Sequence, residues 1–514
     1  MKSHFTALDF FVLVVYLGGT TALGLYIGRR QRSANDYFIA ERSIPWWAVM
    51  FSIVASETSA LTFISIPGLS YIGNLGFLQV VAGYILGRIV AANVLLPRYY
   101  QGQLVTAYAL LEKRFGLATR RFTSIVFMVT RGMADSVRVF ATAIPIALIL
   151  GGTVPQQYAM PGAIVLLGVL TIIYTYKGGM KAVVWTELLQ ASVYILGGLS
   201  AVVLLGRSVP GGWGAILDLA RGADAQTSKL RVIDTYMGFD RPHTLFAGLL
   251  GGAFLSMASH GADQLIVQRL LSSRSLKDAQ RALIGSGLVV FAQFTLFLMV
   301  GLGLFAFYHG RQFPTSDAIF PTFILEQMPP GLVGLIIAAI LAATMSTHSG
   351  AINSLAAATT HDIYLPLSKR SADDAATLRF GKLSALAWGV VLTGGALLFK
   401  QQGTPVVVIA LSIASFTYGA LLGGFFLGWL WRRALQRDAI IGMSIGLIVM
   451  SVVVFAKQLI PILPSFTDTL TTLSKIAWPW YVLIGTTVTV GTGILVSLTH
   501  AQLTTEEEAG RTWR

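Results

Sequence analysis

Apolar residues run along this chain in long blocks, and charged residues gather mostly between the blocks. A bilayer core about 30 Å thick needs roughly 20 apolar residues of helix to cross it. Blocks of about that length recur about 13 times, near 6–28, 45–70, 75–97, 122–150, 158–176, 182–205, 244–266, 281–308, 332–360, 379–400, 405–432, 437–457 and 478–499. The pattern predicts an all-α polytopic membrane protein with about 13 transmembrane helices; a β-barrel would show short alternating segments instead. The first block is too long for a signal-peptide core, has only Lys2 as a basic flank and lacks a small-residue cleavage pattern, so it is expected to stay as a helix.

Three blocks carry polar residues in their middle. The block at 45–70 passes through Ala55, Ser56, Glu57, Thr58 and Ser59, and the block at 244–266 through His260, Gly261, Ala262, Asp263 and Gln264. Both are poor mid-membrane helix and both hold a carboxylate. Paired interruptions in the two halves of a transporter point to its binding site. The third stretch, "AATMSTHSGAINS" from Ala342 to Ser354, crowds Thr344, Ser346, Thr347 and Ser349 together. Ala343, Ser346 and Thr347 share a helix face at i, i+3 and i+4. A single membrane hydroxyl usually bonds back to a preceding carbonyl or joins two helices. A cluster beside two broken helices suits another task, because a small hard cation takes oxygen ligands. Hydroxyls from an intact helix and carbonyls from an unwound one would replace the water of a sodium ion.

Composition narrows the class. The chain has 514 residues, mean hydropathy +0.70, and 12% charged residues, against about 25% in soluble proteins. Its formal charge of +14 does not mark a nucleic-acid partner, since the basic residues lie in loops: "GRRQRS", "LEKRFG", "KGGMK", "QRLLSSRSLKDAQR", "SKRSADD" and "WRRALQRD". These loops fall on one side, which the positive-inside rule makes cytoplasmic. The N-terminus is then outside and the "TEEEAGRTWR" tail in the cytoplasm, with residues 206–243 as the longest external loop. There are no cysteines, hence no disulfide, thiol catalysis or thiolate metal site. No nucleophile motif, phosphate loop or metal-ligand cluster suggests an enzyme.

Five segments in order, "SANDYFIAERSIPWWAVMFSIVAS", "TAYALLEKRFG", "YTYKGGMKAVVWTELLQ", "VQRLLSSRSLKDAQRA" and "AATMSTHSGAINS", resemble the sodium/solute symporters, a family that includes sodium/glucose, proline, pantothenate and sialic acid carriers. The resemblance spans roughly residues 5–440 and looks bacterial in type. It implies a five-plus-five inverted-repeat core: a leading helix and loop at 1–44, repeats at 45–205 and 244–432 separated by the external loop 206–243, and trailing helices with the tail at 433–514. It places a sodium site on carbonyls of Ala55, Thr58 and Ala343 and hydroxyls of Ser346 and Thr347. Some members hold a second sodium with an Asp in "WTD" and further serines; this chain has Glu187 in "WTE", Ser349, and Gly350 where another Ser would stand. That departure favours one ion.

For the solute, the resemblance points between the broken helices, to Glu57, Ser59, Thr62, Phe77, Gln79, Asp263 and Gln264. Two neutral amides of sugar-type members look replaced here by Glu57 and Asp263. On a further helix Arg131, Asp135 and Arg138 recur at i, i+4 and i+7. Charge at mid-bilayer costs about 2.5–3.5 kcal/mol even on the lenient scale, so they are expected to clamp one another, with solute carboxylate binding as the other role. Arg88 is expected to be structural, and His260 and His348 packed and neutral rather than proton relays. The expectation is a sodium-coupled secondary active symporter in the plasma (inner) membrane. It imports a small polar solute, a sugar or sugar derivative, by alternating access. Its partners are the solute, the sodium ion and the lipid bilayer. A carboxylate or amino-acid carrier, proton coupling through Glu57, Asp263 or Glu187, and a non-transporting sensor are the alternatives; the tail after His500 is too short for a signalling domain. The sequence sets no oligomeric state.

Overall fold

The computed structural model describes residues 6–28, 33–58, 60–101, 104–150, 154–222, 227–372, 374–399 and 406–499. Ser59 and the C-terminal tail, both named above, lie outside them. The main helices are α1 (Ala7–Ile27), α2 (Trp46–Glu57), α3 (Ala60–Ile72), α4 (Phe77–Val90), α5 (Leu117–Leu150), α6 (Gln156–Ser208), α7 (Gly252–Gly261), α8 (Gln264–Leu271), α9 (Leu276–Phe307), α10 (Leu332–Ala358), α11 (Ala375–Leu398), α12 (Val406–Leu430), α13 (Gln436–Val454) and α14 (Trp480–Ser497). The sole β pairing among the described residues is an isolated bridge between Ile44 and Ser273. Every predicted apolar block is occupied by helix. Nine spans among the described residues are long and apolar enough to cross a membrane, and the bent pair formed by α2 and α3 makes a tenth. The predicted count is higher because α5 carries five charged residues, Arg131, Asp135 and Arg138 among them in its middle, and α7 and α8 are each short.

Local chemistry sets where the helices start and stop. Thr6 caps α1: the Asp9 N–H donates to its hydroxyl, and the Thr6 N–H donates back to Asp9 Oδ2 at 2.9 Å. The other Asp9 oxygen accepts from the Gly331 and Gly334 N–H groups, both at 2.7 Å, and so ties the start of α1 to the start of α10. Two predicted blocks run on as the single element α6, which turns at Gly179, where φ is +56°; glycine reaches that region without a Cβ penalty. The chain leaves helical geometry at Thr58, with ψ of 94°, and the helices on either side are bent by 63°. It leaves it again at Ala262 and Asp263, and the Asp263 carboxylate restarts the helix by accepting the Leu265 N–H at 2.7 Å.

Helix α10 lies at the centre. In its most apolar stretch 88% of residues are buried, against 11% for α1. It packs most extensively on α6, while α4 packs on α7. The approach of α4 to α7 and to the helical turn Ala247–Gly251 that leads into it depends on small residues: a Cβ at Gly83 would run into the Gly248 carbonyl of that turn and one at Gly87 into the Ala253 carbonyl of α7.

This close approach makes a direct prediction. Gly83→Ala should destabilise the protein by about 1–3 kcal/mol through overpacking. Gly162→Ala, where a Cβ meets nothing within 4 Å, should leave stability unchanged or slightly raised. Thermal unfolding of both purified variants decides; equal midpoints would mean that the α4–α7 contact does not constrain the fold.

Candidate functional site

The two helix breaks face a common cavity of about 140 Å³. From the solute set expected above, Glu57, Thr62, Phe77 and Asp263 line it, together with Arg131 and Arg138 of α5. Gln79 and Gln264 are engaged elsewhere. Gln79 donates to the Gly76 and His243 carbonyls and accepts the Asp234 N–H at 3.1 Å, fastening residues 234–243 to the start of α4. Gln264 accepts the Ala107 N–H at 2.7 Å and donates to the Val105 carbonyl at 3.2 Å. It thus holds the segment before residue 108 against α8.

The cavity walls are charged, and the charges are paired. Arg131 Nε lies 2.8 Å from Asp135 Oδ2, and Arg138 Nη1 donates to Asp135 Oδ1 at 2.9 Å. The cluster reaches further than its own helix. Arg131 Nη1 is 3.5 Å from Asp263 Oδ2, and the Tyr418 hydroxyl donates to that same oxygen at 2.7 Å. One Asp263 oxygen caps α8 and the other meets Tyr418 and Arg131, so this carboxylate is only 1% exposed. On the opposite wall Glu57 pairs with the buried Arg88, whose Nη1 donates to Ser286 Oγ at 2.9 Å. His260 Nε2 sits 3.4 Å from Glu57, and its Nδ1 is 2.7 Å from Ser259 Oγ. Glu57 and Arg138 retain 18% and 20% side-chain exposure, far more than Arg131 or Asp263. Tyr418 had no signal in the sequence: it is one tyrosine in an apolar block on a distant helix.

A second polar region lies on the other side of α2. Glu187 of α6 is fully buried. Ser52 and Ser56 of α2 and Ser346 of α10 all donate hydroxyls to it, the last two at 3.2 Å. Arg269 of α8 completes the group, with Nη2 2.6 Å from Glu187 Oε1. Ser349 turns its hydroxyl back to the Ser346 carbonyl at 3.0 Å. Thr347 is buried and borders a small space shared with Thr344, His348, Asp135 and Arg138. Ala55 and Thr58 border another with Gln190, Tyr194 and Gln293, where Gln293 Nε2 donates to Thr58 Oγ1 at 2.8 Å. The end of α2 and the hydroxyl stretch of α10 therefore meet at one carboxylate, and Ala343 lies on the same helix as Ser346 and Thr347.

Comparison with known proteins gives concordant results. A family model described as the sodium:solute symporter family matches residues 37–446. The chain is 31% identical over 452 residues to a sodium/sialic acid symporter of Aliivibrio fischeri, covering 85% of this chain and 86% of that one. It is 29% identical to a sodium-dependent multivitamin transporter of Oryctolagus cuniculus, covering 87% and 70%. Among solved structures it is similar to a substrate-bound, outward-open sodium-coupled sialic acid symporter. The TM-score is 0.82 at 27% identity, over 97% of this chain and 99% of the other.

The charge cluster on α5 makes a testable demand. Arg131→Gln leaves Asp135 and Asp263 without their shared guanidinium and should cost about 3–5 kcal/mol of stability. Arg131→Gln combined with Asp263→Asn should recover part of that loss, since one stranded carboxylate is gone. Thermal unfolding of the two single variants and the double variant measures the coupling; strictly additive effects would show that Arg131 and Asp263 do not interact.

Proposed function

We propose that this chain, which belongs to the sodium:solute symporter family and is a multi-pass transporter rather than an enzyme, imports a carboxylate-bearing sugar derivative with sodium. The observation that carries the reading is the exposure of Glu57 and Arg138, of opposite charge, to one cavity. A carboxylate accepts hydrogen bonds from vicinal hydroxyls. A guanidinium with one nitrogen on Asp135 keeps further donors for a planar acid group. A solute with both features answers both walls, as the sialic acid handled by the similar proteins would. Asp263, capping α8 and bound to Tyr418, acts in this reading on the wall rather than on the solute. A simpler carboxylate is the second reading, favoured by Arg138 alone.

Sodium sits, in this proposal, between the end of α2 and the middle of α10. The carbonyls of Ala55, Thr58 and Ala343 and the hydroxyls of Ser346 and Thr347 hold it. The meeting of Ser56 and Ser346 at Glu187 supports this, because it brings the two helices together next to those residues. The ion and the solute then bind on either side of one broken helix, the arrangement expected of alternating access. The remaining architecture follows the same reading: about 13 crossings with repeats at 45–205 and 244–432, an outside N-terminus, a cytoplasmic C-terminus and residence in the plasma membrane. The paired breaks support the repeats, and the one-sided basic loops support the orientation.

Two outcomes are expected in proteoliposomes with an inward sodium gradient. Ser346→Ala or Thr347→Ala removes one oxygen from a cation, worth about 1.5–3 kcal/mol for a charged partner. The sodium concentration for half-maximal uptake should rise by roughly 10- to 150-fold while the protein still folds. Unchanged sodium dependence in both variants would refute the site. Across a panel of sugars, sugar acids, monocarboxylates and amino acids, sugar acids should be taken up best. Arg138→Lys, which keeps the charge but loses the fork, should lower their uptake about tenfold or more. Preferred uptake of neutral sugars, unaffected by Arg138→Lys, would overturn the solute assignment.

A further inference from the structure

The group around Glu187 has the donor chemistry of a hard-cation site: one carboxylate and the hydroxyls of Ser52, Ser56 and Ser346, all buried. A carboxylate with no exposure needs a positive partner, which can be a mobile ion or a side chain. Here it is a side chain. Arg269 reaches in from α8 with a fully buried guanidinium. Its Nη2 is 2.6 Å from Glu187 Oε1, its Nε lies 3.1 Å from Ser52 Oγ and 3.3 Å from Glu187 Oε2, and its Nη1 donates to the Leu265 carbonyl at 2.6 Å. Room for it comes from Gly350, one turn beyond Ser346 on α10: a Cβ at that position would collide with Nη2. Any other residue there pushes the guanidinium off its seat.

We propose that Arg269 is a tethered cation that stands where a second sodium would otherwise bind beside Glu187, with Gly350 as the residue that admits it, so that the chain binds a single sodium. The proposal rests on the preceding reading that Ser346 and Thr347 hold sodium. Ser346 joins the two positions: its hydroxyl hydrogen goes to Glu187 Oε1, leaving its lone pairs for an ion on the other side. Arginine cannot deprotonate in a protein, so the compensation at Glu187 is permanent, whereas a mobile ion would leave with the cargo. One sodium carried with one monoanionic solute moves no net charge. Accumulation would then follow the sodium gradient and not the membrane potential.

The test counts sodium with sodium itself as the probe. Radioactive sodium binding to the purified full-length protein, with potassium as the replacement ion, should saturate at one ion per chain. Arg269→Gln leaves Glu187 without its cation; the count should rise to two, and the unfolding midpoint should become more dependent on sodium. Arg269→Lys keeps the charge and should stay at one, a difference that a purely structural arginine would not produce. Should Arg269→Gln fail to fold, Gly350→Ser displaces the guanidinium from the α10 side and should likewise raise the count. Two ions on the unaltered chain, or one ion on Arg269→Gln, would overturn the tethered cation and leave the Ser346 site standing. No ion on the unaltered chain would overturn both.

Discussion

Charge placed inside a bilayer-spanning core has to meet an opposite charge at close range, and this requirement organises the centre of the molecule. Arg88 with Glu57, Arg131 and Arg138 with Asp135, and Arg269 with Glu187 are all such pairs. Replacement of a whole buried pair by apolar residues is often neutral or stabilising, so these pairs are poorly explained as devices for stability. They are better understood as fixtures that hold broken helices in register. Three contacts join elements that hydrophobic packing alone would leave free to slide: Arg88–Glu57 ties α2 to α4, Arg131–Asp263 ties α5 to the start of α8, and Arg269–Glu187 ties α8 to α6, while Asp135 keeps both arginines of α5 in place.

Helix α2 is the shared wall between the two polar regions. Ser52 and Ser56 donate to Glu187 on one side, while Glu57, the next residue, pairs with Arg88 and borders the cavity on the other. A shift in the end of α2 therefore alters both regions at once. The backbone can stop at Thr58 only because protein surrounds it: irregular backbone at membrane depth is tolerated where it is buried in protein or lines a cavity. Under the proposed assignment of sodium and solute to these two regions, coupling needs no long pathway, since a single helix terminus separates them.

The position of the cavity also explains how polar residues divide their duties. Gln79 and Gln264, polar and near the breaks in sequence, are spent on holding loops: one anchors residues 234–243 and the other residues 105–107. Neither glutamine lines the cavity. Asp263 serves the helix that it starts, and through Tyr418 it ties α12 to the same corner.

Helix placement, the two breaks, the hydroxyl cluster and the Arg131–Asp135–Arg138 spacing were all readable along the chain. They depend on local periodicity and on residue types that a lipid environment tolerates only for a reason. Which partner each charge takes was not readable. Glu187 and Arg269 are 82 residues apart, as are many equally plausible pairs, and a short-range pattern has no term for that distance. The fit of Arg269 depends on the missing Cβ of Gly350, which in sequence is merely one small residue among many. Tyr418 reaches Asp263 across 155 positions. The sequence by itself determined which segments are helical and where a helix must fail. Only the tertiary structure decided which of the buried charges meet one another and which face the cavity, because those outcomes follow from the packing of distant helices at distances of a few ångströms.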